Sequence, residues 1–171
     1  MAGCEPMSHV AGSPVGVLAL HGFTGSPASM RQIAETGGAH GFDVELPRLP
    51  GHGTTLDEML TTRWADWTAE VERAYQALAE RSDHIVVAGL SMGGTLTLWL
   101  ALRYPTLAGI VCINPATQLR DDTPLDMIDE YVEDGFVVLP GAGNDISDPD
   151  AYDIGYDGTP LPCLRSLLVD G

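Results

Sequence analysis

The pentapeptide Gly89-Leu90-Ser91-Met92-Gly93 constrains this chain more than any other stretch, because of what flanks it. Before it stands HIVVA (His84–Ala88), a short apolar run of strand type. After it a helical pattern runs from Met92 to about Tyr104, where Pro105 ends it. A strand that becomes a helix through one residue must turn sharply. Side chains at positions 89 and 93 would meet the neighbouring strand and helix, so such a turn needs glycine at both. Ser91 at the apex then projects its hydroxyl from the carboxyl edge of a sheet, beside the free N–H groups and positive dipole end of a helix. That is the setting of a catalytic serine nucleophile. The alternative is a helix N-cap serine in an ordinary crossover, which makes no demand for flanking glycines.

Three more apolar runs read as strands: Val15–Leu20 (VGVLAL), Phe42–Leu46 (FDVEL) and Leu107–Ile113 (LAGIVCI). The second is the weakest, interrupted by Asp43 and Glu45. Helical patterns separate them. SMRQIAET, from Ser29, forms a short amphipathic helix that Gly37-Gly38 is expected to stop. From Trp64 to Arg81, Trp64, Trp67, Val71, Ala74, Tyr75 and Leu78 recur on one face. Strands alternating with helices imply an α/β fold with central parallel strands, flanking helices and right-handed crossovers.

The length of 171 residues suits one domain. Composition nevertheless divides it near Pro115. Residues 1–116 carry eleven acids and six arginines, whereas residues 117–171 carry thirteen acids and two arginines. The later segment lacks strand alternation except at Phe136–Leu139, and reads as an acidic region of helices and loops added to the core.

A formal charge of −16, with no lysine, argues against nucleic-acid partners and against docking on anionic membranes. Cys4, Cys112 and Cys163 are too few and too widely spaced for a disulfide framework or a metal site. No signal-peptide pattern opens the sequence and no stretch is long enough to span a bilayer, so a soluble, cytoplasmic protein without a stable membrane anchor is expected.

Two glycine-rich loops follow strands at the same predicted sheet edge. His21-Gly22-Phe23-Thr24-Gly25 follows VGVLAL, and Pro50-Gly51-His52-Gly53 follows FDVEL. A tetrahedral intermediate needs two N–H donors at its oxyanion. Met92, next to the serine, supplies one, and Phe23 in the first loop is the candidate for the other. A plain turn or phosphate-type loop is the alternative. His21 and His52 read as braces of their loops, with a role as general base the competing possibility. Trp64 and Trp67 read as core.

Taken together, LALHGFTGSP, RLPGHG, TTRWADW and VAGLSMGG resemble the alpha/beta-hydrolase superfamily, and within it the bacterial carboxylesterase and monoacylglycerol lipase group. The resemblance implies an alpha/beta-hydrolase fold with residues 1–116 as the N-terminal part of the core and residues 117–171 as a cap. It implies Ser91 as nucleophile, Gly89 and Gly93 as elbow glycines, and the Phe23 and Met92 amides as oxyanion hole. The implied substrates are small esters or acylglycerols, with neither cofactor nor metal. TPLPCLRSLL is expected to form the last cap helix. Met127, Ile128, Tyr131, Val132, Phe136, Val137 and Val138 are expected either to line an acyl tunnel or to form the cap core.

A serine hydrolase also needs a histidine base and an acid that orients it, in the chain order Ser, acid, His on this fold. The histidines are His9, His21, His40, His52 and His84, and none follows Ser91. The chain is therefore expected to be part of a longer gene product, leaving Leu107–Ile113 as an apolar sheet edge. A non-catalytic remnant or ligand-binding module on the same scaffold is the rival from another class. An acyl transferase or thioesterase would keep the chemistry and change the acceptor. A dehalogenase is excluded, since its nucleophile at this turn would be a carboxylate.

Overall fold

A computed structural model describes residues 1–117, 121–141 and 154–171. Its elements are β1 (Met7–His9), β2 (Val15–Leu20), α1 (Ala28–Ala39), β3 (Asp43–Leu46), α2 (Leu56–Leu60), α3 (Trp64–Ala79), β4 (His84–Leu90), α4 (Met92–Arg103), β5 (Gly109–Ile113), α5 (Thr123–Glu133), β6 (Val138–Pro140), β7 (Gly158–Pro160) and α6 (Leu161–Asp170). The main sheet has the order β1-β3-β2-β4-β5. β3, β2, β4 and β5 run parallel, as the alternating pattern requires, and β2 pairs with β4 from Val15–His84 to Leu20–Gly89. The carboxyl ends of β2 and β4 thus lie side by side. This is the α/β architecture expected from the sequence, with one strand that was not: β1 adds to the β3 edge in antiparallel sense.

The two acids of the weak second run are explained by that added edge. Asp43 is buried, and its carboxylate accepts the N–H groups of Ala11, Gly12 and Ser13 at 2.7, 2.9 and 3.3 Å, which closes the turn from β1 into β2. Burial pushes this carboxyl up, but the three N–H groups and Arg81 outweigh it and hold the pKa below the usual carboxylate value. Glu45 accepts from Ser8 of β1 and pairs with Arg81.

The first helix runs past its expected stop. α1 continues through Gly37-Gly38 to Ala39, and Gly41, at φ +80°, ends it. The glycine pair serves close packing instead. A Cβ on Gly37 would lie 3.4 Å from the Val44 side chain, and one on Gly38 would lie 3.1 Å from the His9 ring. Strand bounds shift slightly too: β3 starts at Asp43 and β5 at Gly109, while β4 extends to Leu90.

Alternation along the strands divides the core between the two sheet faces. Leu18, Leu20, Ile85 and Val87 pack with Trp67, Val71 and Leu78 of α3 and Leu96 and Leu100 of α4. Ala19, Val44, Leu46 and Ala88 pack with Met30 and Ala34 of α1. β5 is an edge strand among the described residues, with Ile110 and Val111 exposed.

The acidic segment adds no strand to the main sheet. Its described residues form α5, the short antiparallel β6–β7 ribbon and α6. Part of this segment, with acids such as Asp145 and Asp150, lies outside the described residues. α6 begins at Leu161 within TPLPCLRSLL and is fixed to the core. Cys163 and Leu167 join the α3 cluster, the Cys163 thiol donates to the Met59 carbonyl at 3.1 Å, and Ser166 Oγ accepts the Trp64 N–H at 3.0 Å.

Candidate active site

Ser91 is the single residue between β4 and α4, and its backbone is strained, with φ 54° and ψ −118°. A capping serine has extended backbone and accepts an N–H of the first helical turn. Ser91 has neither property, because its side chain makes no cap hydrogen bond. The turn is imposed by its surroundings. The Ser91 N–H donates to the Ile113 carbonyl of β5 at 2.8 Å, and the Ser91 carbonyl accepts from Gly94 and Thr95 at 2.8 and 3.2 Å. A Cβ on Gly89 would overlap the Gly93 carbonyl, and one on Gly93 would overlap the Leu20 carbonyl of β2. Helix α4 therefore starts in direct contact with the preceding strand and its neighbour.

Because β2 and β4 are in register, the loop after β2 arrives beside this turn. A Cβ on Gly22 would lie 3.5 Å from Ser91 Cβ. Phe23 follows at once, half-buried, its ring edge-on to Trp67 and His52 at centroid separations of 5.9 and 6.3 Å. Met92 is fully buried. Among the described residues, neither the Phe23 nor the Met92 N–H makes a hydrogen bond. Ser91, Phe23 and Met92 thus share one corner of the sheet edge. Two amides without partners and a hydroxyl not used for capping are what acyl-transfer chemistry needs there.

The two loop histidines are braces. His21 is fully buried; its Nδ1 lies 3.0 Å from the Gly22 carbonyl, and its Nε2 accepts the Leu49 N–H at 3.2 Å. The tautomer follows: Nδ1 carries the proton and Nε2 the lone pair. Burial, with the nearby His52 second, lowers the His21 pKa to about 3. His52 lies with its Nδ1 3.0 Å from the Pro50 carbonyl, and burial lowers its pKa to about 4. The two rings meet edge-on at 5.1 Å. His52 Nε2 is buried without a hydrogen-bond partner among the described residues. His84 begins β4, at the opposite end of the strand from Ser91.

Two side chains matter here beyond their sequence-level reading. Trp67 is core as expected, but its Nε1 also donates to the Pro50 carbonyl and Thr62 Oγ1, both at 3.2 Å, so α3 holds the PGHG loop. Tyr156 bonds the same loop from the acidic segment. No local signal distinguishes it, since its partners lie more than a hundred residues away in sequence.

The seven apolar residues expected along a tunnel or cap core are divided. Met127, Ile128 and Tyr131 line a cavity of about 320 Å³ with Leu139, Leu161 and Leu164, Met127 and Tyr131 being exposed as well; Val132, Phe136 and Val137 are exposed outside its lining, and Val138 lies half-buried in β6. Ser91 is not among its lining residues. Among the described residues no group of three or more His, Cys, Asp or Glu could hold a metal ion, and no helix is long and apolar enough to cross a membrane.

Comparison with known proteins matches residues 17–166 to the alpha/beta hydrolase family. The thermostable monoacylglycerol lipase of Bacillus sp. (strain H-257) is 42% identical over 171 residues, an alignment that covers 98% of this chain and 65% of the lipase. The chain therefore spans less than two thirds of the length of that relative. The carboxylesterase of Bacillus subtilis (strain 168) is 36% identical over 101 residues, covering 58% of this chain and 41% of the esterase. A solved structure from work on LipS and LipT, two metagenome-derived lipolytic enzymes, is 42% identical and superposes with a TM-score of 0.90 over 98% of this chain and 68% of its own.

Proposed function

The chain belongs to the alpha/beta hydrolase family, and on that premise we propose that it carries the nucleophile and oxyanion hole of a serine carboxylic-ester hydrolase acting on monoacylglycerol-like or short- to medium-chain esters. The observation that carries the reading is the backbone of Ser91, held at φ 54° with its hydroxyl excluded from capping. Strain of this kind persists only where the surroundings enforce it, and it collects at functional sites. The names of the two bacterial relatives supply the substrate class.

In this reading Ser91 Oγ attacks the ester carbonyl carbon. The carbonyl π electrons move to oxygen, and the oxyanion accepts the Phe23 and Met92 N–H groups. Neither amide has another acceptor among the described residues, so no hydrogen bond is broken as the charge develops. Collapse expels the alcohol, leaves the acyl group on Ser91, and water then releases the acid. The Oγ proton needs an acceptor. His21 cannot serve, because both of its nitrogens are engaged by backbone and burial keeps it from taking a proton near neutral pH. Burial disfavours a charged His52 in the same way. In this proposal neither loop histidine is therefore the base. Residues 1–116 act as the core part and residues 117–171 as the cap.

The test uses the protein in the length its gene encodes. A fluorophosphonate probe is expected to label Ser91, and hydrolysis of p-nitrophenyl butyrate and of a medium-chain monoacylglycerol is expected to disappear in Ser91→Ala. Labelling or hydrolysis that survives Ser91→Ala overturns the assignment.

A further inference from the structure

Chain returning from the acidic segment crosses both loops of the candidate site. The Tyr156 N–H donates to the Thr24 carbonyl at 3.0 Å, and a Cβ on the preceding Gly155 would stand 2.9 Å from that same oxygen. The Tyr156 phenol donates to the Gly51 carbonyl at 2.7 Å and accepts the Thr54 N–H at 2.9 Å. Its ring packs against the core cluster that contains Trp67 and Met92. One residue thus ties the loop after β2 to the loop after β3.

The tie falls where the backbone most needs it. Thr24 has φ 60°, a conformation that a β-branched residue avoids. Its hydroxyl donates to the Phe23 carbonyl at 2.6 Å, and its own carbonyl is held by Tyr156. The two carbonyls that follow the Phe23 amide are therefore both fixed, one locally and one from the acidic segment. A peptide N–H can be aimed at a developing charge only while the peptide planes next to it are held.

We infer that Tyr156 is a positioning residue, which holds the HGFTG loop so that the Phe23 amide faces the oxyanion. The inference rests on the reading of Ser91 as nucleophile. It makes the acidic segment part of the machinery of acyl transfer: displacement of residues 154–157 loosens the oxyanion hole without touching substrate.

The oxyanion exists only in the transition state, so a mispositioned amide lowers kcat and leaves KM nearly unchanged. Full loss of one donor costs about 10²–10³ in kcat, and loosening it costs less. In the gene-length enzyme, Tyr156→Phe keeps the ring and the N–H on Thr24 but removes the two phenol bonds that anchor this N–H to the loop after β3. It is expected to lower kcat about tenfold per titrated active site, with KM within about twofold. The inhibition constant of a boronic-acid transition-state analogue is expected to rise by the same factor as kcat falls. Gly155→Ala, which pushes on the Thr24 carbonyl from the other side, is expected to show the same pattern. Wild-type kcat in both variants overturns the inference, as does a rise in KM with kcat unchanged, which would place Tyr156 in contact with substrate. Activity that survives Ser91→Ala refutes the nucleophile reading itself, so the two failures are told apart.

Discussion

At Ser91 the backbone occupies a region that side-chain-bearing residues enter at a cost of about 1–3 kcal/mol, whereas glycine enters it freely. This strain reverses a familiar ranking. Where the backbone is unstrained, glycine is worse than alanine by about 0.4–1 kcal/mol, because the unfolded chain gains freedom. At position 91, Ser91→Gly is expected to exceed Ser91→Ala in unfolding free energy by about 1 kcal/mol. Urea midpoints of the two variants check this, and an alanine variant at least as stable as the glycine one contradicts the strain. Much of this was legible in the sequence, since steric demand writes itself as glycine at 89 and 93. Tyr156 was illegible for the opposite reason. Its value lies in a main-chain contact with residue 24 and phenol contacts with residues 51 and 54, and a residue that acts across such separations leaves no spacing to read.

Among the elements, α3 does most to hold the site without contributing a reacting group. Its apolar period predicts a helix from Trp64 to Arg81 and the helix runs from Trp64 to Ala79, because 16 residues repeat the apolar face often enough for the period to show. β1, with three residues, and α2, with five, repeat nothing and leave no period to read. The Gly37-Gly38 pair misled because helix termination and close helix–sheet packing call for the same residue. In α3, Trp67 has two functions: its ring fills the core and its Nε1 anchors the turn at Pro50. Trp67→Phe removes both Nε1 hydrogen bonds and leaves the Pro50 carbonyl without that donor. It is expected to lower unfolding free energy by about 2–3 kcal/mol in chemical denaturation. Trp64 has its backbone N–H on Ser166 Oγ, a bond that substitution leaves intact, so Trp64→Phe is expected to cost less. Equal losses in the two variants would show that ring volume, not the Pro50 anchor, sets the cost.

For the molecule as a whole, the buried His21–His52 pair makes stability depend on pH. Both folded-state pKa values, about 3 and about 4, lie below the ordinary 6.5, because burial disfavours the charged ring. Between those values and 6.5 the unfolded chain binds more protons than the folded one, so stability rises with pH through that window. The contribution is complete above about pH 6.5 and is lost as pH falls toward the folded values. Each ring contributes a slope of at most about 1.4 kcal/mol per pH unit. Unfolding free energy is therefore expected to be level above pH 7 and to drop by about 2–4 kcal/mol at pH 5. Asp43 acts in the same direction at lower pH, since its pKa lies below the usual carboxylate value and its stabilisation is lost only as that group protonates. The interval from pH 6.5 to 5 therefore isolates the histidines. Denaturant titrations at several pH values should show the slope in this interval roughly halved in His52→Gln, whatever that substitution does to the plateau. A level profile from pH 7 to 5 in the unsubstituted chain would mean that both rings titrate in the folded protein as they do in the unfolded one, so that burial does not hold them neutral. His52, whose Nε2 has no partner among the described residues, could then accept a proton near neutral pH, and its exclusion as the base would lose its support.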